Sequence, residues 1–248
     1  MKRILFFIGL LLTFSNLTAQ KKVTETKSAS GINEVFVHAK FANNIVIKNW
    51  NKNEISVQAE VNIDDNKHND YFTLKADKIG TTYTIKSDYG DYFKKYRSYN
   101  SYSSRSKSKD KKDDDDDCNC NEHSNIVNYV IYVPKSMDLK VKSISGSVAT
   151  DTFNGFLELD LISGDIDIKK HSKKMMLKTI SGDIDLYISD ATFEAKTLTG
   201  GVYSDLDIDF SNNNRRSHGH TKIRATIKNG NANLKMSTIS GDIFLRKS

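Results

Sequence analysis

Ser163-Gly164-Asp165-Ile166-Asp167-Ile168 is a stretch that the chain repeats as Ser181-Gly182-Asp183-Ile184-Asp185-Leu186. Shorter copies stand at Ser145-Gly146-Ser147-Val148, Thr199-Gly200-Gly201-Val202 and Ser240-Gly241-Asp242-Ile243. In chain order, the glycines of the first four copies are 18 residues apart. A fixed period of about 20 residues is typical of proteins built from stacked repeats. The stretch therefore predicts that each copy forms one coil of a stack.

Each copy contains two short strands joined by a corner. Leu157-Glu158-Leu159-Asp160-Leu161 alternates before Gly164, and Ile166-Asp167-Ile168 alternates after it, as strands with one buried face do. Glycine takes a positive φ at little cost, so it suits the corner between them. We therefore predict an all-β fold, a β-solenoid (β-helix-like) stack of 18-residue two-strand coils. An antiparallel β meander or sandwich is the alternative, because periodicity does not fix strand direction.

Stacking in register predicts two buried aliphatic ladders, because residues 18 positions apart would lie about 4.8 Å apart in neighbouring coils. The first ladder comprises Ile144, Ile162, Ile180 and Leu198. The second comprises Val148, Ile166, Ile184 and Val202. The period breaks after Gly200, where Asn229-Gly230 predicts a hairpin turn. We expect the irregular last coil, residues 239–245, to close the stack.

The N-terminal residues have the pattern of a secretory signal peptide. Lys2-Arg3 precedes an apolar run from Ile4 to Leu12, and Ala19-Gln20 offers a cleavage site. The run is well short of the ~20 residues that span a bilayer. We therefore predict that residues 1–20 are removed on export and leave no transmembrane anchor. The expected location is the periplasm or the cell surface, associated with the outer membrane.

The remaining chain divides by composition into four segments. We expect residues 21–30 to be a linker and residues 31–88 to form N-terminal β coils and a cap. Within the second segment, Ala42-Asn43-Asn44-Ile45-Val46-Ile47 is similar to the repeated stretch. Residues 89–125 are predicted to be a disordered insert, because they are rich in Ser and in blocks of charge. Residues 126–248 are expected to complete the same β domain with the C-terminal repeat coils.

The first half of the insert alternates aromatic residues with Lys and Arg. Such interleaving is found in proteins that bind single-stranded nucleic acid. The predicted export and the mixed signs of charge argue against nucleic acid here, so we expect a surface loop that contacts another protein or a glycan of the envelope. The predicted contact residues are Tyr89, Tyr92, Phe93, Tyr96, Tyr99 and Tyr102.

The second half of the insert carries the one cluster with metal-ligand chemistry. Its candidate ligands are Asp115, Asp117, Cys118, Cys120 and His123. Thiolate and imidazole suit Zn²⁺ or copper, whereas carboxylates suit Ca²⁺. Cys-x-Cys without a second ligand pair is not the usual zinc spacing. An acidic loop whose cysteines pair with each other or with another chain is the simpler interpretation, so no metal or other cofactor is predicted.

The repeated aspartates are a second candidate for metal binding. Stacking would place Asp165 beside Asp183, and Asp167 beside Asp185, and like charges this close are unfavourable unless screened or bridged. Calcium would bridge them, but the glycine-rich calcium repeat is absent and neighbouring lysines offer counter-charge. We therefore expect a solvated outer face.

The sequence resembles a bacterial family of putative adhesins. The resemblance is carried by Gly31-Ile32-Asn33-Glu34-Val35, by residues 44–50, by the lead-in Val130-Ile131-Tyr132-Val133-Pro134-Lys135 and by the Ile-Ser-Gly-Asp-Ile repeats. At Gly31-Ile32-Asn33 the chain is similar to the related head GIN domain of putative autotransporter adhesins. The resemblance covers most of residues 30–248 and implies a fold. It transfers no functional residue, because the family has no established catalytic site.

The predicted function is that of an exported, non-enzymatic, adhesin-like envelope protein that binds a protein or a glycan through the insert or a repeat face. A carbohydrate-active β-helix enzyme is one alternative, and a structural or signalling component of the envelope is another. An enzyme of that kind needs a carboxylate pair or an activated base in a groove. The acids of the repeats are accounted for by outward alternation, so no catalytic residue is assigned.

Overall fold

Strands occupy most of the chain wherever buried and exposed residues alternate. The structure is a computed structural model of the 248-residue protein, and it describes residues 20–96, 124–206 and 221–248. All of the predicted signal peptide except Gln20 lies outside these ranges. None of the helices within them has the length and apolar character needed to span a bilayer.

The first group of strands precedes the insert and the second group follows it. The first group is β1 (Lys21–Ser28), β2 (Glu34–Trp50), β3 (Glu54–Ile63), β4 (Thr73–Ile79) and β5 (Thr82–Asp88). A 3-10 turn (Asn69–Tyr71) and the short helix α1 (Tyr92–Lys95) belong with it. The second group is β6 (Asn125–Pro134), β7 (Asp138–Thr150), β8 (Leu157–Leu161), β9 (Ile166–Ile168), β10 (Lys174–Lys178), β11 (Ile184–Ile188), β12 (Ala191–Thr199), β13 (Val202–Ser204), β14 (Thr221–Ile227), β15 (Asn233–Ser240) and β16 (Ile243–Lys247).

These strands form two facing walls with one apolar core between them. The front wall runs in the order β4, β5, the first half of β2, the first half of β7, β8, β10, β15, β12, β14. The back wall runs β1, β3, β6, the second half of β2, the second half of β7, β9, β11, β16, β13. Strands of neighbouring coils are parallel, as in β8 with β10 and β9 with β11. The predicted solenoid is confirmed, and the antiparallel alternative is wrong for the repeat coils.

Glycines make the corner between the walls. A Cβ on Gly164 would lie 2.3 Å from the carbonyl oxygen of Gly146, and a Cβ on Gly182 would lie 2.2 Å from that of Gly164. A Cβ on Gly241 would lie 2.1 Å from the carbonyl oxygen of Gly182, and a Cβ on Gly200 would lie 2.1 Å from that of Gly241. Adjacent coils therefore approach each other here as closely as bare backbone allows, which only glycine permits.

The order of these contacts overturns the prediction that residues 239–245 close the stack. β15 pairs with β10 on one side and with β12 on the other, so the last coil in the chain lies inside the stack. β12 and β13 form the terminal coil, and the antiparallel strand β14 covers the front-wall edge of that coil.

The turn at Asn229-Gly230 forms, but it does not join a hairpin. β14 and β15 lie on opposite sides of β12, so the turn passes under the start of that strand. Asp190 holds it there, because its carboxylate accepts hydrogen bonds from the Asn229 N–H at 3.1 Å, the Asn231 N–H at 3.1 Å and the Asn231 side-chain amide at 2.7 Å.

The second predicted ladder is confirmed. Val148, Ile166 and Ile184 are buried and in register on the back wall. Ile243 extends this row between Ile184 and the partly buried Val202, because the last coil is inserted there.

The prediction that the first ladder is buried is wrong. Its members form a row, but the row faces solvent: Ile162 is 50% exposed, Ile180 37% and Leu198 48%. The residues that point inward are the preceding ones, Leu161, Thr179 and Thr197. The buried threonine hydroxyls bond to corner carbonyls, Thr179 to Gly164 at 3.0 Å and Thr197 to Gly241 at 2.9 Å. These bonds satisfy the hydroxyls and leave the aliphatic neighbours outside.

Residues 31–88 contain β2 to β5, and β2 carries a β bulge. β2 crosses from the front wall to the back wall between Phe41 and Asn44, where its pairing with β7 shifts register. Ile45 then lies beside Val148, as its position in the similar stretch implies. The corner of β2 is thus a variant of the repeat, with Ala42 against Gly146.

Two predicted segment boundaries need correction. Residues 21–28 are not a linker, because β1 pairs antiparallel with β3 and forms the edge of the back wall. Residues 89–96 do not belong to a disordered insert, because Tyr89 and Tyr92 are buried in the core and Tyr92 begins α1. Asn125 opens β6, which pairs with β3. The rest of the predicted insert, residues 97–123, lies outside the described residues.

Candidate binding surfaces

The aromatic residues predicted to contact a partner divide into two groups. Tyr89 and Tyr92 are only 4% and 3% exposed, so they are core residues and not a contact surface. Phe93 is 39% exposed, and Tyr96 is half-buried. Tyr99 and Tyr102 lie outside the described residues.

Both buried tyrosines are tied to the wall by their hydroxyls. Tyr89 donates to the Phe41 carbonyl at 2.9 Å, and Tyr92 donates to the Asp64 carboxylate at 2.8 Å. Burial raises the pKa of Tyr89 to about 12. Burial, followed by the bond to Asp64, also raises the pKa of Tyr92. Both therefore remain neutral donors over the whole physiological range of pH.

An aromatic cluster that sequence reasoning missed holds α1 in place. The His68 ring lies 4.2 Å from that of Tyr96 and 5.9 Å from that of Tyr92, centroid to centroid. The Lys95 ammonium bonds to the Tyr71 hydroxyl at 3.0 Å, which lowers the pKa of Tyr71. The tyrosine-rich start of the insert thus packs on its own neighbours.

The predicted metal cluster, Asp115, Asp117, Cys118, Cys120 and His123, lies outside the described residues. Within the three described ranges, no group of three or more His, Cys, Asp or Glu side chains is arranged to hold a metal ion.

The sequence led us to expect that the corner aspartates are merely solvated. Their carboxylates instead bond to the backbone of the neighbouring coil. The Asp165 carboxylate accepts the Asp183 N–H at 2.9 Å, that of Asp183 accepts the Asp242 N–H at 2.7 Å, and that of Asp242 accepts the Gly201 N–H at 2.8 Å. Each carboxylate therefore ties one coil to the next. The repeated Ser-Gly-Asp is explained by this structural role.

The second row of aspartates is compensated by cations on the back wall. Asp167 lies 2.9 Å from the Lys169 ammonium, which agrees with the prediction that neighbouring lysines offset the charge of the aspartates. Asp185 accepts two hydrogen bonds of 2.7 Å from Arg246, a residue that sequence analysis did not single out. These bonds raise the pKa values of both cations above their usual range.

An exposed aromatic pair lies at the end of the same wall. The rings of Tyr203 and Phe244 stack at 5.4 Å with an angle of 18° between their planes, and Tyr203 is 55% exposed. The Arg246 guanidinium lies 5.6 Å from the centre of the Phe244 ring, while it binds Asp185. We call Tyr203, Phe244 and Arg246 the aromatic platform. Together with Asp205 they line a shallow hollow of ≈ 220 Å³.

A signal for the platform was present in the sequence. Asp185 and Phe244 occupy equivalent positions in neighbouring coils, and Tyr203 occupies that position in the terminal coil. The outward residue thus changes from aspartate to aromatic toward the end of the stack. The order of the coils, which brings Phe244 beside Tyr203, was needed to see that the two rings form one surface.

Several ion pairs lie on the outer face of the front wall. Glu194 lies 2.6 Å from Arg224 and 3.1 Å from Lys222, and Asp160 lies 3.1 Å from Lys142. Burial raises the pKa of Glu194, but the two cations outweigh burial and the pKa falls below its usual value. Glu194 is therefore ionised at neutral pH and is poorly suited to act as a general acid.

The repeat coils are similar to a known family of domains. Residues 129–246 match the family model described as Toastrack DUF4097. No curated protein matches the sequence.

Solved structures align with most of the chain. A putative cell adhesion protein from Clostridium sporogenes has a TM-score of 0.55 and 12% sequence identity, and the alignment covers 92% of this chain and 100% of that one. A putative adhesin from Bacteroides fragilis aligns over 93% of this chain and 99% of that chain, with 11% identity and a TM-score of 0.32. At such low identity, the Clostridium sporogenes structure shows a shared fold.

Proposed function

We propose that this chain, whose residues 129–246 match the Toastrack family model, is a non-enzymatic, adhesin-like binding protein of the cell envelope. Its ligand in this proposal is a glycan or a glycan-bearing protein, and the contact is made by a repeat face. The insert is not proposed as the main contact, because Tyr89 and Tyr92 at its start are buried in the core.

The aromatic platform is the observation that carries the proposal. The Tyr203 ring is 55% exposed in the described part of the chain and stacks on Phe244. Tyrosine offers a large amphipathic area at a low cost in conformational entropy, which suits the apolar face of a sugar ring. Arg246 and Asp205 provide charged groups at the border, where they fix the orientation of hydroxyl groups.

Binding to a glycan array and to envelope proteins would test the role of the platform. We expect Tyr203→Ala and Phe244→Ala to weaken binding on the order of tenfold each, as central aromatic contacts do. Phe36→Ala is the matched control, because Phe36 stacks on His38 on the outer face of the opposite wall. The proposal fails if neither class of ligand is bound, or if all three variants bind as the wild type does. Release of new reducing ends from a bound glycan would identify an enzyme instead.

Export is the second part of the proposal. It is supported by Lys2-Arg3, by the apolar run that follows and by the adhesin-like fold. Cell fractionation and the mass of the purified protein would test it. We expect the protein in the envelope or outside the cell, with an N-terminus at Gln20 or Lys21. Intact Met1 on a cytoplasmic protein would contradict export without bearing on the platform.

A further inference from the structure

The outward-facing aliphatic row of the front wall is an unusual surface. In spatial order its members are Ile144, Ile162, Ile180, Ile239 and Leu198, which we call the aliphatic ridge. Ile239, contributed by the inserted coil, is 43% exposed, and Ile144 is half-buried. Single exposed apolar residues are common in proteins, but a continuous row of them marks an interaction site.

Nothing in the packing requires these residues to be apolar. The core at this level is filled from the inside by Leu161, Thr179, Thr238 and Thr197. The glycines build the corner itself. A polar side chain at a ridge position would leave these contacts intact and would be better hydrated. The chain nevertheless places Ile or Leu at this position in one coil after another, so the ridge calls for a function outside the fold.

A row of lysines runs parallel to the ridge. Outward residues two positions earlier in each strand include Lys142, Lys178 and Lys196, and Lys40 of β2 continues the ridge beyond Ile144. The carboxylate in this row, Asp160, is shared between Lys142 at 3.1 Å and Lys178 at 3.7 Å. The lysine side of the ridge therefore carries a net positive charge, whereas the corner carboxylates of Asp165, Asp183 and Asp242 lie on the other side and are held by backbone N–H groups.

We propose that the aliphatic ridge and its lysine border bind the surface of an anionic lipid bilayer. Neighbouring coils are about 4.8 Å apart, so the five members of the ridge span roughly 19 Å, a length that can lie along a membrane surface. Its aliphatic side chains enter the boundary between headgroups and acyl chains. The lysines lie beside them, at the level of the lipid phosphates.

A lipid surface suits the ridge better than a protein groove does. Protein-binding sites concentrate their energy in aromatic or arginine anchors that fill pockets. The ridge is aliphatic throughout and faces solvent, and the row beside it is rich in lysine, which is depleted from the centres of protein interfaces. On this arrangement the opposite wall, with the aromatic platform, faces away from the membrane.

Sedimentation with vesicles of phosphatidylcholine, with and without phosphatidylglycerol, tests the proposal. Ile180→Ser/Ile239→Ser removes two members of the ridge. Ile79→Ser/Ile126→Ser is the matched control, because Ile79 and Ile126 are 71% and 40% exposed elsewhere on the molecule. We expect the ridge variant to lower the partition coefficient for mixed vesicles on the order of tenfold and the control to leave it unchanged. All variants share one N-terminus, so the leader does not affect the comparison.

The lysine border is tested in the same assay. Lys178→Gln/Lys196→Gln should weaken binding to mixed vesicles by about fivefold per lysine and reduce its dependence on salt, because each lysine is attracted to the anionic surface. Lys170→Gln/Lys173→Gln, on the exposed turn between β9 and β10, is the control. Thermal melts would establish that each variant is folded. Equal sedimentation of ridge and control variants, or no sedimentation of the wild type, would overturn the proposal. Ridge-dependent self-association without vesicle binding would show instead that the ridge is a protein interface.

Discussion

Thr238 donates its buried hydroxyl to the carbonyl oxygen of Gly182 at 3.0 Å, across 56 positions of the chain. The same bond joins Thr179 to Gly164 in the preceding coil. Each hydroxyl satisfies a carbonyl at the crowded corner and makes the threonine, not the isoleucine that follows it, the inward residue. The bond therefore links the stability of the corner to the exposure of the aliphatic ridge.

Thr238→Val should destabilise the protein by about 1 to 2 kcal/mol, because it keeps the shape of the side chain but leaves the Gly182 carbonyl without this donor. Urea unfolding followed by circular dichroism would measure the change. Thr238→Ser keeps the hydroxyl and should lose less than Thr238→Val. Equal stability of Thr238→Val and the wild type would show that the bond contributes nothing.

Gly241→Ala should destabilise the domain by about 3 kcal/mol, at the upper end of the cost of overpacking. A Cβ at this position would lie 2.1 Å from the Gly182 carbonyl oxygen, and backbone cannot move aside as a flexible side chain does. Gly80→Ala is the control, because Gly80 also has a positive φ but has no atom within 4 Å of the new Cβ. A comparable loss in both variants, measured by urea unfolding, would mean that φ and not crowding sets the cost.

Ile180→Asp should leave the protein folded, whereas Ile184→Asp should unfold it. Ile180 faces solvent, but Ile184 is fully buried between Ile166 and Ile243, where an unpaired charge costs several kcal/mol. Melting temperatures of the two variants would decide the matter. If Ile180→Asp were the more damaging substitution, the first ladder would be buried after all.

Asp190→Ala should lower the melting temperature at neutral pH, and the difference from the wild type should shrink in acid. The backbone N–H of Asn231, with further bonds from the turn, lowers the pKa of Asp190 from its usual 3.8. A carboxyl whose pKa is lower in the folded protein stabilises the fold at every pH above its ordinary pKa. This stabilisation is lost as the pH falls to the lowered pKa of the folded protein.

Melting curves of wild type and Asp190→Ala from neutral pH to below 3.8 would follow this loss. Asp151→Ala, at an exposed position on the back wall, is the control and should match the wild type throughout. A difference for Asp190→Ala that stays constant with pH would show that charge on Asp190 is irrelevant to the turn.

Tyr92→Ala should cost about 3 to 5 kcal/mol, as the loss of a buried aromatic side chain does. Tyr92→Phe removes the hydroxyl that binds Asp64 and should cost roughly 1 kcal/mol. Phe93→Ala, at a position that is 39% exposed, should cost less than Tyr92→Ala in urea unfolding. The reverse order would return residues 89–96 to the predicted insert.

Local pattern determined much of the fold from the sequence alone. Alternation placed the strands, the repeated Ser-Gly-Asp placed the corners, and the spacing of 18 aligned Val148, Ile166 and Ile184. These features follow from strand geometry within one coil and from the need of each coil for a neighbour. The same alternation contained the signal for the aliphatic ridge, because Leu157, Leu159 and Leu161 point inward and Ile162 therefore lies on the other face.

Tertiary structure alone decided the order of the coils and the role of the tyrosines. β15 is inserted between β10 and β12, and Asp190 binds the turn that leads into it. The buried Tyr92 donates its hydroxyl to Asp64, 28 residues away. Such pairings depend on the free energies of contacts between distant segments, which no periodicity of the chain records.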